Sequence, residues 1–169
     1  MKIESLRDLF EIELKYAYDC EQKLVKKGLP GMIKNAFSPE LRQALEQHLE
    51  ETRTHVTRLE KVFSTLGVKA DTKDNDVLDE MASAAEDSVS HIDATPLRDA
   101  ALIVNGNQVE HYEMAIYGSL VAFAKQLSLR DAANLLQQTL EEEKAADAKL
   151  SQIAEGSINP RAAQERRAA

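Results

Sequence analysis

Four long stretches of this chain repeat apolar residues at spacings of three and four, the periodicity of an amphipathic helix. The first carries Leu6, Leu9/Phe10, Ala17, Cys20 and Leu24. The second carries Leu41, Ala44/Leu45, Val56, Leu59, Val62/Phe63 and Leu66. The third, Leu102 to Phe123, is apolar on most of its circumference, and the fourth runs to about Ala154. Start signals agree with the pattern. Ser38-Pro39-Glu40 and Thr95-Pro96 each place an N-cap residue before a proline, which is tolerated at the first helical position. Ser128 with Asp131 three residues on resembles a capping box and predicts the start of the fourth helix. Gly67 predicts the end of the second. Pro30 should kink or end the first near Gly28, with a short continuation over 32–36.

These helices fall into two hairpins. Between them, residues 68–95 begin with the polar run ADTKDND and continue into a weaker amphipathic helix over 77–92. That segment predicts a long crossover containing a short extra helix. Hydrophobic residues make up 43% of the 169, enough for one core, while only 6 Gly, 4 Pro and 5% aromatics argue against a sheet protein. The expected domain spans residues 1–156, with 157–169 a mobile tail. The runs after Leu49 and after Leu140 are weakly alike: each reads Leu-Glu-Glu, with a basic residue (Arg53, Lys144) at the same offset and a further Leu ten residues on.

The apolar stripes are interrupted near their middles. Glu13 interrupts the first, His48, Glu51 and His55 the second, Glu110 and Glu113 the third, Glu143 and Asp147 the fourth. Helices of this length span roughly 40 Å, and antiparallel packing brings their midpoints to one depth. The pairs Glu51/His55, Glu110/Glu113 and Glu143/Asp147 stand three or four apart, so each pair shares a face. One enclosed carboxylate is costly, and several converging ones require protons or a cation. The reading is a metal site in the bundle core. Its expected ligands are Glu13, Glu51, His55, Glu110, Glu143 and Asp147, with Glu113 and His48 in reserve. More carboxylate than imidazole suits iron or manganese, as one ion or a pair.

A carboxylate-bridged two-metal bundle takes Glu from two helices and Glu-x-x-His from the other two. This chain departs from it: Thr52 stands three before His55, and Ala146 stands three after Glu143. Taken singly, Glu141 and Glu142 read as surface acids and His111 as structural. The competing class is an interaction module without chemistry, its core acids protonated or paired with histidine and its acidic surface recruiting a protein partner. A DNA-protecting role would rest on Arg161, Arg166 and Arg167 alone, and a net charge of −8 argues against nucleic acid as a partner. A single cysteine excludes an intrachain disulfide, and the amphipathic, acidic N-terminus predicts a cytoplasmic protein with no membrane partner.

The runs LRDLFEIELKYAYDCEQKL, HLEETRTHVTRLEKVF, VEHYEMAIYGSL and LLQQTLEEEKAADAKL closely resemble the YciE/YciF bacterial stress proteins over about residues 3–154. The most specific parts are Val109–Gly118 and Thr139–Leu150. The resemblance implies an all-α, ferritin-like antiparallel four-helix bundle related to rubrerythrin, a homodimer, and a part in stress responses. A site that is redox active would then act on peroxide or oxygen.

Overall fold

The computed structural model of the chain describes residues 2–165. Its helices are α1 (Leu6–Lys23), α2 (Leu29–Asn35), α3 (Pro39–Thr65), α4 (Asp76–Ser90), α5 (Pro96–Gln126), α6 (Arg130–Ile153) and α7 (Asn159–Ala162). Helices α1, α3, α5 and α6 form the four-helix bundle: α5 packs along α6 and α1, and α3 packs along the same two from the other side. The crossover carries α4, which packs on α5. Asn75 pins its start. The side chain of Asn75 accepts from the Leu78 amide and from the Tyr112 hydroxyl, and its own amide donates to Asp19.

Pro30 does not end the first helix. Residues Leu24–Gly28 form a π-helical turn that leads directly into α2. A second such turn, Ala154–Ile158, joins α6 to α7. Each lies just ahead of a proline, Pro30 or Pro160. A proline inside a helix lacks an N–H and its ring clashes with the carbonyl four residues back. A widened turn at that point lets the helix pass through. The expected tail from residue 157 is therefore helical as far as Ala162. Ile158 is fully buried, Ser157 donates to Glu40, and Glu165 accepts from the Leu97 amide. Arg166 and Arg167 lie outside the described residues.

Ser128 does not cap α6, which begins at Arg130. It adopts φ 59° and closes α5 instead. The Leu129 amide reaches the Ala124 carbonyl and the Ser128 amide that of Lys125, the paired bonds of a left-handed helix stop. Gly67, φ 72°, closes α3 by the same bonds to Phe63 and Ser64, as expected.

Two apolar layers fill the bundle. One joins Phe10, Leu14, Tyr18, Leu59, Phe63, Leu120 and Leu136, and the other joins Cys20, Leu24, Leu41, Leu45, Leu102, Leu150 and Ile153. Between them each helix contributes enclosed polar residues: Glu21, then His48, Thr52 and His55, then Glu110 and Glu113, then Thr139 and Glu143. No helix among the described residues is long and apolar enough to cross a membrane.

Candidate metal centre

The polar layer is built around Glu143 on α6. Two sets of potential ligand atoms converge there, each within 4.8 Å of one another: Glu21, His55 and Glu143, and His48, Glu110 and Glu143. His55 Nδ1 lies 2.9 Å from Glu143 Oε1 and 3.4 Å from Glu21 Oε1. His48 Nε2 lies 3.2 Å from Glu110 Oε1 and 3.9 Å from Glu143 Oε2. Both imidazoles come from α3, seven residues or about two turns apart, with ring centroids 6.4 Å apart. A second imidazole thus enters from α3, although α6 has Ala146 where a histidine would be expected.

The outer nitrogen of each ring faces a rim carboxylate. His48 Nδ1 is 3.6 Å from Glu51 Oε2, and His55 Nε2 is 2.9 Å from Glu142 Oε2. Glu142 is itself clasped by both guanidinium nitrogens of Arg58. The His55 ring, held from behind by Glu142, presents its other nitrogen inward, a common arrangement around metal-bound histidine.

Electrostatics follow from burial and crowding. Burial, then the charge of Glu143, pushes the Glu113 carboxyl well above the usual carboxylate range. Burial raises Glu143 to about 7, and the neighbouring His55 partly opposes it. For His55, burial disfavours the charged ring, but Glu143 and Glu21 outweigh it and hold its pKa at about 11. His48 is raised against its own burial by Glu110 and Glu51. Cys20 donates its thiol to Glu113 Oε1 at 3.6 Å, and the enclosed Tyr117 hydroxyl donates to Glu21.

The chain's own groups leave this layer incompletely satisfied. Both Glu143 oxygens, Glu21 Oε2, Glu110 Oε2, His48 Nδ1 and His55 Nδ1 are buried without an aligned hydrogen bond. Four enclosed carboxylates also outnumber two imidazoles. Two divalent cations would balance four carboxylates and leave both imidazoles neutral, the form in which they ligate. The residues present therefore fit a cation pair, and nitrogen–oxygen donors of this kind suit iron or manganese.

Of the expected ligands, the structure brings His48, His55, Glu110 and Glu143 together, with Glu113 beside them. Glu51 stands behind His48 with 37% of its side chain exposed. Asp147 lies 3.3 Å from His111 and belongs to neither set. Glu13 is half-buried and belongs to neither set. It stands eight residues, about 12 Å along the helix, from Glu21. The reason is the π-helical turn: a first helix ending near Gly28 has its middle near Glu13, whereas the unbroken run Leu6–Asn35 has its middle beside Glu21. Glu21 had a signal in the sequence, since it stands four after Ala17 on the stripe, but its neighbours Gln22 and Lys23 disguise it as surface.

Fold and site together define a ferritin-like bundle with a carboxylate–histidine cluster at its centre. The chain belongs to the family described as "Domain of unknown function (DUF892)", which matches residues 5–163. It is 35% identical to protein YciF of Escherichia coli K12 over 163 residues, covering 96% of this chain and 98% of that one. The crystal structure of that E. coli stress protein superposes with a TM-score of 0.88 at 34% identity, covering 93% of this chain and 99% of the other. YcfI from Rhodopseudomonas palustris gives a TM-score of 0.86 at 38% identity, covering 89% and 95%. A protein from Xanthomonas campestris at 21% identity, TM-score 0.71, shares the fold.

Proposed function

We propose that the chain is a stress-associated protein that binds a pair of divalent transition-metal ions, iron or manganese, in the core of its bundle. The observation that carries this reading is the convergence of two three-residue ligand sets on the shared carboxylate of Glu143. Glu21 and His55 would hold one ion and His48 and Glu110 the other, with Glu143 between them. Such a pair supplies one-electron chemistry toward peroxide or oxygen when bound. The chain's own part is to orient and to exclude. Glu142 aims the His55 ring, Tyr117 fixes Glu21, and the apolar layers keep bulk water from the ligands.

Metal analysis of the full chain after anaerobic reconstitution with Fe(II) or Mn(II) tests the reading. About two ions per chain are expected, and a stoichiometry near zero sinks it. Glu143→Leu separates it from an interaction module whose core histidines simply pair with its acids. In the cation-free state the variant should melt lower, because the enclosed His55 loses a carboxylate partner 2.9 Å away. It should also lose the stabilisation that added Mn(II) gives the parent, about 2.7 kcal/mol at a hundredfold excess over Kd. An interaction module shows the first effect and no metal-dependent stabilisation in either protein.

A homodimer and a cytoplasmic location belong to the same proposal. The exposed Leu97 and Val104 on α5 support the former. Sedimentation equilibrium should give twice the chain mass.

A further inference from the structure

We infer that the two cation positions differ in their access to solvent: the His48–Glu110 position exchanges through a small opening between α3 and α6, and the Glu21–His55 position is sealed. This rests on the two-ion reading above. Glu21 and His55 are completely enclosed, and so is the shared Glu143. His48 keeps a small exposed edge. It lines, with Glu110, a cavity of about 20 Å³ whose other walls include Ala44, Ala146 and Lys149. That is room for one water molecule or an ion of similar size. Its walls are built partly from alanine side chains.

The charges behind the two rings differ in the same sense. The carboxylate behind His55, Glu142, is occupied by Arg58, whose guanidinium also donates to Thr139. An ion approaching there meets a fixed positive charge. The carboxylate behind His48, Glu51, is partly open to solvent, and among the described residues its other oxygen accepts from the neutral amide of Gln47. A cation can be drawn to Glu51 and passed to His48 and Glu110. Lys149, a positive residue lining this cavity, is exposed.

The test follows Mn(II) leaving the fully loaded full-length protein into an excess of a fluorescent chelator. Two phases of equal amplitude are expected. Ala146→Leu fills the opening, so it should slow the fast phase at least about tenfold and leave the slow phase within about twofold. Lys149→Ala, a change at an exposed position, should raise the loading rate of the fast position about threefold at low salt. A single release phase overturns the inference, as does an unchanged fast phase in Ala146→Leu or an unchanged loading rate in Lys149→Ala. Uptake of two ions with uniform release removes only the difference in access. Failure to take up any ion removes the metal-binding reading itself.

Discussion

At the scale of single residues, position within the polar layer determines what each acid does. Glu141, Glu142 and Glu143 are consecutive, yet they have three different surroundings. Glu141 pairs with Lys144 on the surface, Glu142 holds His55 from behind, and Glu143 is enclosed at the centre. Helical geometry makes this unavoidable, because adjacent residues are turned about 100° from one another. The periodicity places Glu143 on the buried face, where the structure has it, but it treats Glu142 as surface, since no rule within one helix shows that His55 will stand opposite. Glu142→Gln should therefore weaken Mn(II) binding about 10- to 100-fold without removing a ligand. Competition against a chelator of known affinity measures this, and a loss below about twofold would mean that Glu142 does not orient the ring.

At the scale of elements, helix ends were partly legible. Gly67 closes α3 where its freedom to adopt positive φ is needed. Ser128 stands in the equivalent position after α5 without that freedom. A side chain held there costs roughly 1–2 kcal/mol, part of which glycine's greater freedom in the unfolded chain offsets. Ser128→Gly should therefore stabilise the protein by about 1 kcal/mol and raise the melting temperature by about 2–4 °C. A decrease in Tm would show that the serine makes a compensating interaction. The two π-helical turns were not legible. A proline in sequence signals a stop, and whether a helix instead widens and continues depends on the packing beyond it. Leu29 and Ile158, both buried, supply that packing here.

At the scale of the whole molecule, the enclosed charges couple folding to pH and to cations. The folded cation-free protein binds more protons than the unfolded chain in this layer, and Glu143 and His55 set the pH range. Glu143 titrates near 7, above the ordinary carboxylate value of 4.5, and His55 near 11, above the ordinary 6.5. Stability therefore falls with rising pH from both groups: between the ordinary carboxylate value and about 7 for Glu143, and from 6.5 through about 11 for His55. A bound cation takes the place of those protons, so its affinity grows as they become easier to remove. The gap between the melting temperatures of the Mn(II)-loaded and cation-free protein should widen from about pH 6 to about pH 8. Loading at neutral pH in weak buffer should also release protons, and a gap that narrows over this range would contradict the coupling.

The sequence by itself determined that the chain is helical, that its long helices pack as a bundle with a crossover, and that polar residues interrupt the stripes of α3, α5 and α6 at a common depth. Periodicity and capping are properties of neighbouring residues, so one chain displays them without reference to its fold. The tertiary structure decided that Glu21, and not Glu13, completes the layer, that both histidines of α3 enter it, and that Glu51 and Asp147 stay outside. Those outcomes depend on how far α1 continues through Pro30 and on the rotation of each helix about its axis. Both are fixed by contacts between residues far apart in sequence, and a pattern within any single helix contains neither.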